Sequence, residues 1–196
     1  DKLTDELEKK IKSSKDLKTL EDLYLPYKKK RKTRGDMAKE KGLEPLAKKI
    51  WDQEIESGDP IEYAREYIDK EKELPDAETV LSTALDIVAE WINESVEVRD
   101  TLREIIRKHG VIATRKNPAI NERTNYEDYY DFSSRGHQLK PHQVLAINRG
   151  ERENVLFVNL DLNESITLDN LDDVVIANDA SIFTPRLQDA VEDAYK

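Results

Sequence analysis

An apolar stripe with helical spacing is the feature that most constrains this chain. Its members lie on one side of the longest helical pattern in the sequence: Val80, Ala84, Ile87, Val88, Trp91 and Ile92. Residues three and four apart share one face of an α-helix, so this stripe predicts a helix that buries one face. Shorter stripes recur from residue 3 to residue 109. The sequence therefore predicts a mainly α fold, a multi-helical array.

The composition agrees with a helical array. Charged residues make up 38% of the 196 residues and hydrophobic residues 37%, with a formal net charge of −10. A chain this charged forms a core only where its apolar residues are well patterned, which amphipathic helices achieve. The overall acidity disfavours broad, non-specific nucleic-acid binding, so any such contact must be local.

The cysteine count limits both chemistry and compartment. The chain has no cysteine, which excludes disulfides, thiolate metal sites and thiol nucleophiles. Together with the lack of a signal peptide, this favours the cytoplasm. No apolar run approaches the roughly 18 to 20 residues that a membrane span needs. We also expect a fragment of a longer protein, because the sequence lacks an initiator Met and stops within a helical pattern.

Capping signals predict a pair of short helices. Thr33 with Asp36 three residues on is a plausible helix start, Gly42 ends that helix, and Pro45 lies in the first turn of the next. Two short helices joined by a tight glycine turn form a helix-turn-helix-like element. Asp59 and Pro60 start a further helix, predicted to run through Ile68.

The pattern changes after Gly110. The segment 111–115 is compatible with an extended strand, whereas 126–132 suits a short helix with docked aromatic rings. A helix is predicted from Pro141, with Gly150 as its end. The best strand pattern gives a small β element near 155–162, without identifiable partners. Residues 184–196 read as the start of a last helix.

These changes predict three segments. Residues 1–57 form an N-terminal helical region with the basic helix-turn-helix-like element, and residues 58–116 form a helical array. Residues 117–196 form a central region that is α with the short β element.

Catalytic signals are not found. The three histidines, His109, His137 and His142, lack metal-ligand spacing, and no phosphate-binding glycine loop or serine nucleophile elbow occurs. Trp51 and Trp91 lie on apolar stripes and are predicted to be core residues. We therefore expect no metal, no cofactor and no enzyme activity.

The chain concentrates positive charge at one place, which we call the basic run. Six of the seven positions from 28 to 34 are cations: Lys28, Lys29, Lys30, Arg31, Lys32 and Arg34. They precede a predicted helix start, where backbone N–H groups favour an anion such as phosphate. Tyr24 and Tyr27 stand beside them and could stack on unpaired bases. Residues alone leave a solvated loop, a contact for an acidic protein and a nucleic-acid contact open.

Residues 20–47, LEDLYLPYKKKRKTRGDMAKEKGLEPLA, closely resemble the signature of the Tex family of bacterial transcription accessory proteins. Two further segments are similar in order and spacing. Residues 126–130 resemble the family's Tyr-x-Asp-Tyr-Phe element. Residues 141–156 resemble its Ser-His-Arg-x-Leu-Ala-x-x-Arg-Gly-x-x-Glu-x-Val-Leu segment, and His142, Arg149, Gly150 and Glu153 are among the matching positions. Pro141 stands where Ser is usual, and Gln143 where Arg is usual.

The resemblance implies a particular part of a larger molecule. Tex-like proteins combine N-terminal and central helical regions with an RNase H-like domain, helix-hairpin-helix motifs and an S1 domain that is the main nucleic-acid binder. The chain would hold part of the N-terminal region and part of the central region, and it would stop just before the RNase H-like domain.

Two functions follow as hypotheses. The first is a non-catalytic helical scaffold of a Tex-like transcription accessory protein, whose basic run gives weak, largely non-specific binding to RNA or DNA backbone. The alternative is a protein–protein interaction module that docks RNA polymerase or other domains of the same chain, since a helix-turn-helix geometry does not by itself imply DNA binding.

Overall fold

The computed structural model describes the backbone of residues 5–14, 20, 24 and 32–196. Its helices are α1 (Asp5–Ser13), α2 (Arg34–Glu40), α3 (Glu44–Asp52), α4 (Pro60–Arg65), α5 (Ala77–Glu94), α6 (Val96–His109), α7 (Pro141–Arg152), α8 (Glu164–Val175) and α9 (Thr184–Tyr195). Its strands are β1 (Val111–Lys116), β2 (Asp131–Arg135) and β3 (Leu156–Asp161). The mainly α fold is confirmed.

The chain divides into two compact units. The first unit comprises residues 1–99 with 171–196, and the second unit comprises residues 100–170. The three segments expected from the sequence, 1–57, 58–116 and 117–196, stay a prediction.

Helix α5 is the centre of the first unit. Helices α2, α3, α4 and α9 all pack against it. The predicted stripe is buried along its length, at Val80, Ala84, Ile87, Val88 and Ile92. Burial of such side chains supplies the main favourable term in folding, at about 1.5–3 kcal/mol for each large one. The stripe therefore organises this unit.

The two tryptophans lie at the margin of this core rather than inside it. Trp51 and Trp91 are half-buried. Their ring centroids are 6.0 Å apart at an interplanar angle of 78°, an edge-to-face contact. The prediction that both are core residues is thus correct only for part of each ring.

The predicted helix boundaries in the first unit are mostly confirmed. Thr33 and Asp36 form a capping box at the start of α2, and Gly42 adopts the left-handed φ of +88° that ends the helix–turn segment. Asp59 caps α4, but α4 ends at Arg65 and does not reach Ile68. Helices α2 and α3 are joined by a short turn. Whether they act as a helix-turn-helix element stays a prediction.

The second unit contains a small antiparallel sheet in the order β2–β1–β3. Thr114 of β1 lies opposite Phe132 of β2 and Val158 of β3. Both predicted strands, at 111–115 and near 155–162, are confirmed. They pair with each other, which supplies the partners that the sequence did not identify.

Two predictions in the second unit are wrong. Residues 126–132 do not form one short helix: Glu127–Tyr129 is a single 3₁₀ turn, and Phe132 belongs to β2. Gly150 does not end its helix, because α7 continues to Arg152. Gly150 is instead buried where α7 meets β3, since a Cβ there would lie 2.7 Å from Cδ1 of Leu156. Close approach of the two elements, and not helix termination, requires the glycine.

The core of the second unit surrounds this contact. Tyr126, Val155 and Leu156 are buried together, with Tyr129 and Tyr130 packed against them. Helix α8, which the sequence pattern did not predict, starts at Glu164, directly after Asn163, whose side chain accepts the N–H of Ile166 at 3.0 Å. Among the described helices, none is both long enough and apolar enough to cross a membrane.

Candidate nucleic-acid interface

The structure describes part of the predicted nucleic-acid contact. Three of its residues lie within the described part of the chain: Tyr24, Lys32 and Arg34. The other five lie outside the described residues: Tyr27, Lys28, Lys29, Lys30 and Arg31. Tyr24 is 59% exposed, as a ring that stacks on an unpaired base must be.

Lys32 forms a surface ion pair. Its Nζ lies 2.5 Å from Oε2 of Glu40, and the two side chains are 55% and 64% exposed. A pair this exposed contributes about 0–1 kcal/mol, because water screens both charges. Lys32 can therefore exchange Glu40 for another anion at little cost.

Arg34 contacts two carboxylates of the first unit. Its Nη2 lies 2.5 Å from Oδ2 of Asp193 on α9, and its Nη1 lies 3.4 Å from Oδ1 of Asp86 on α5. Burial raises the pKa of Asp86 above its ordinary value of 3.8, although the charge of Arg34 acts in the opposite direction. Arg34 thus links α2 to α5 and α9.

The start of α2 already holds an acidic partner. The Asp36 N–H donates to Oγ1 of Thr33 at 3.0 Å, and the Thr33 N–H donates to Oδ2 of Asp36 at 3.1 Å. Helix α2 also has only seven residues. The helix terminus therefore contributes little attraction for phosphate. The prediction of a nucleic-acid contact rests on the cations of the basic run.

A second cluster, the arginine cleft, lies within the second unit. It is a cavity of about 540 Å³, lined among others by Arg123, Asn125, Tyr126, Leu145, Arg149 and Glu153. Its residues come from the loop between β1 and β2 and from α7 with the turn that follows. Those two stretches include the second and third segments that resemble the Tex family.

Hydrogen bonds to one carboxylate join the two sides of the arginine cleft. The Tyr126 hydroxyl donates to Oε2 of Glu153 at 2.7 Å, and Nε of Arg149 donates to Oε1 of Glu153 at 2.8 Å. A Cβ on Gly150 would lie 3.2 Å from Cδ1 of Tyr126, so the tyrosine ring packs directly on α7. The sequence brings Tyr126 to Glu153 through this close helix–ring contact.

These hydrogen bonds shift the titration of the cleft residues. The bond from Arg149, and then that from Tyr126, lower the pKa of Glu153 below its ordinary value of 4.5. The same bond to Glu153 raises the pKa of Tyr126 above its ordinary value of 10.0. The Glu153 carboxylate is therefore ionised and held by two donors at neutral pH.

A second arginine–carboxylate pair lies on the loop side. Nε of Arg123 donates to Oε1 of Glu127 at 2.6 Å, and Nη2 of Arg123 donates to Oε2 at 2.9 Å. This is the bidentate geometry that the planar guanidinium favours. The Arg123 hydrogen bond lowers the pKa of Glu127 below its ordinary value of 4.5.

The loop that carries Arg123 and Tyr126 is fixed to the sheet. The Thr124 N–H donates to the Tyr130 hydroxyl at 3.1 Å, and the Tyr126 N–H donates to Oγ1 of Thr124 at 3.2 Å. Nζ of Lys116 on β1 lies 4.8 Å from the centre of the Tyr130 ring, a cation–π contact.

Sequence patterns alone assign no role to the cleft residues. Arg149, Gly150 and Glu153 matched the family segment, and Tyr126 lay in the other matching segment, but nothing joined them. The i,i+4 spacing of Arg149 with Glu153 and of Arg123 with Glu127 was the available signal. Contact between the two segments depends on the fold.

The histidines lie within the described residues. In that part of the chain, no group of three or more His, Asp and Glu side chains is placed to hold a metal ion.

Comparison with known proteins identifies relatives along the whole chain. The Tex central region-like family matches residues 56–191. The chain is 39% identical over 199 residues to the protein YdcI of Bacillus subtilis (strain 168), which covers 100% of this chain and 27% of YdcI. It is 34% identical over 161 residues to the transcriptional accessory protein Tex of Neisseria gonorrhoeae, covering 81% of this chain and 21% of that protein.

A more distant relative is human. The chain is 27% identical over 173 residues to the S1 RNA-binding domain-containing protein 1 of Homo sapiens, covering 84% of this chain and 17% of that protein. The chain thus spans about a quarter or less of the length of these curated relatives.

Proposed function

Because the chain belongs to the Tex family, we propose that it is a non-catalytic helical scaffold of a Tex-like transcription accessory protein and contributes to binding RNA or DNA backbone. The names of its relatives support both parts, since one is a transcriptional accessory protein and another an S1 RNA-binding domain-containing protein. We expect it to act in the cytoplasm.

One observation carries the nucleic-acid part of this proposal. Six cations occupy the seven positions 28–34 in a chain whose formal net charge is −10. Local positive charge of this density attracts a polyanion that the acidic remainder repels. The ion pairs of Lys32 and Arg34 do not oppose the proposal, because both cation side chains are more than half exposed and can exchange partners.

The experiment is a binding titration of the chain with fluorescently labelled single-stranded RNA and duplex DNA at low salt. Replacing the six cations of the basic run by Gln should abolish most of the binding. With four phosphate contacts, the log–log salt slope would be roughly −0.9 per contact on a duplex and roughly −0.7 on a single strand.

A matched control removes the same charge elsewhere. Six cations that are exposed and lie outside the basic run are changed to Gln together: Lys9, Lys48, Arg65, Lys70, Lys72 and Lys108. If this control weakens binding as much as the basic-run variant, net charge alone governs binding and the basic run has no special role.

The second candidate is a module that docks RNA polymerase or another domain of the same chain. It is favoured by the acidity of the first unit, in which 31 Asp and Glu outnumber 22 Lys and Arg. A second reason is that Arg34, a cation of the basic run, contacts the carboxylates of Asp86 and Asp193, the same groups that an acidic protein partner would offer. Sedimentation with purified bacterial core RNA polymerase tests it, and failure to co-sediment at micromolar concentration removes that partner.

A further inference from the structure

We propose that the arginine cleft binds a nucleotide, with its phosphate on Arg149 and Arg123 and its base against Leu145. The ligand class is that of the proposed function, but the site is separate from the basic run, so either can fail alone. The volume of about 540 Å³ lies in the range of about 300–1,000 Å³ typical of sites for small molecules and cofactors.

Carboxylates orient the two arginines, but each arginine keeps N–H groups that can donate to a ligand. Arg149 donates a hydrogen bond to a described residue only through its Nε, so both of its terminal nitrogens can donate to a ligand. Arg123 uses Nε and Nη2 on Glu127 and retains Nη1. A guanidinium offers five N–H donors in a rigid fork, and a carboxylate that holds one edge orients the rest.

The carboxylate of the cleft does not repel an anion as a free one would. Both oxygens of Glu153 accept hydrogen bonds, from Arg149 and from the Tyr126 hydroxyl. Its role is to fix Arg149, which lowers the entropy cost of binding a phosphate. We therefore treat Glu153 and Tyr126 as positioning residues.

An apolar wall accompanies the arginines. Leu145 lines the cleft and is 71% exposed, although the same helix buries Ile147. Val155 and the Tyr126 ring, both buried in the core, also line it. Donors beside an exposed apolar side chain suit a ligand with an anionic group and a flat apolar body, which describes a nucleotide.

The charge of the surroundings permits this ligand. Residues 100–170 carry ten Lys and Arg and eleven Asp and Glu, whereas the remainder of the chain carries 22 and 31. An anion approaching the second unit therefore meets almost no net repulsion from that unit. A base that stays paired in a duplex cannot enter a concave cleft, so the ligand is a free nucleotide or one unit of a single strand.

The experiment is an NMR titration of the 196-residue chain with uridine 5′-monophosphate and, separately, with an eight-residue oligouridylate. Amide shifts are expected at Asn125, Leu145 and Arg149. Equal affinity for the two probes assigns the cleft to free nucleotides, and tighter binding of the oligouridylate assigns it to a single strand. Inorganic phosphate should bind more weakly than either, because it lacks the base.

Variants separate the phosphate and base contacts. Arg149→Gln should weaken binding at least about tenfold, the loss of a hydrogen bond to a charged group. Leu145→Ala should weaken it about threefold to tenfold through lost apolar contact. Arg123→Gln is a second variant that tests the phosphate contact. Because the Arg123 side chain is 90% exposed, we expect this variant to fold normally. The matched control is Arg107→Gln, which removes an exposed arginine that is paired with Glu104 and does not line the cleft.

Three results would overturn the proposal. One is the absence of shifts at the cleft with both uridine probes. Another is that Arg107→Gln weakens nucleotide binding as much as the two cleft arginine variants, Arg149→Gln and Arg123→Gln. The third is a cleft that responds to a glutamate- and leucine-rich peptide but not to nucleotides, which would assign it to acidic proteins. Binding that survives in the basic-run Gln variant shows that the cleft acts independently.

Discussion

Tyr126 and Glu153 lie 27 residues apart, and the phenolic hydroxyl of Tyr126 donates a hydrogen bond of 2.7 Å to Oε2 of Glu153. Each belongs to a different segment that resembles the Tex family. The bond therefore connects two parts of the family pattern that sequence similarity alone leaves separate. It joins the loop side of the arginine cleft to the carboxylate that also binds Arg149.

The titration of Glu153 should report this bond. Since the folded pKa of Glu153 is lowered, its bonds contribute stability above the ordinary glutamate pKa, and that contribution is lost as pH falls through the lower folded value. Tyr126→Phe and Arg149→Gln should each raise the pKa of Glu153, with the larger effect for Arg149→Gln. Carboxyl-carbon NMR measures this directly. An unchanged Glu153 pKa in both variants would contradict the geometry.

Gly150→Ala should destabilise the protein, although alanine is the better helix former by about 1 kcal/mol. A Cβ at this position would lie 2.7 Å from Cδ1 and 2.9 Å from Cγ of Leu156. Such overpacking costs about 1–3 kcal/mol, so the clash outweighs the helix propensity. Urea unfolding measures the change. The control is Gly136→Ala, whose Cβ would come no closer than 3.7 Å to the backbone and should change stability by less than about 0.5 kcal/mol.

Periodicity and capping predicted the helices of the first unit because these signals are local. The stripe of α5 and the capping box of Thr33 and Asp36 depend on residues within one or two turns. The burial of Gly150 was not predictable in this way, since it depends on how α7 meets Leu156 of β3. The same holds for the arginine cleft. Neither Tyr126 nor Glu153 stands out in a sequence with this many charged residues, because their contact forms only in the folded chain.

Gln53 is the clearest example of a polar residue whose burial and hydrogen bonds could not be predicted from local sequence. It is buried, and its Oε1 accepts the N–H groups of Ala177 and Asn178 at 2.8 and 3.0 Å. Its Nε2 donates to the carbonyl oxygen of Val175 at 2.8 Å. These partners lie more than 120 residues away, at the end of α8, a helix that the sequence pattern did not predict.

Gln53→Met should therefore lower the free energy of unfolding by about 2–4 kcal/mol, because it leaves two N–H groups and one carbonyl without their partner. The left-handed backbone at this position, with φ of 54°, strains both side chains alike. Thermal and urea unfolding measure the loss. Gln188→Met, at an exposed position of α9, is the control and should change stability by less than about 0.5 kcal/mol. Equal effects would mean that the hydrogen bonds of Gln53 do not matter.

We expect the position of α2 against α5 to depend on Glu90, an acidic residue of α5. Its carboxylate accepts the Thr33 hydroxyl at 3.0 Å and Nζ of Lys39 at 2.8 Å, so it holds both ends of α2. A Cβ on Gly35 would lie 2.7 Å from Oε2 of Glu90, which shows how closely the helices approach. The Glu90 side chain is 12% exposed. Glu90→Gln should cost about 1–3 kcal/mol, since the amide nitrogen cannot accept a hydrogen bond.

The same contact predicts an alkaline response. Partial burial acts to lower the pKa of Lys39, but the hydrogen bond and charge of Glu90 outweigh it and raise that pKa above 10.5. A raised folded pKa means that the Lys39 contribution is complete below the unfolded pKa and is lost as pH rises through the folded value. Unfolding of the unmodified chain should therefore become easier above pH 10.5, and Glu90→Gln should reduce that slope. Glu66→Gln, at an exposed site, should leave the slope as it is. If the Glu90→Gln profile runs parallel to that of the unmodified chain, Lys39 does not depend on Glu90.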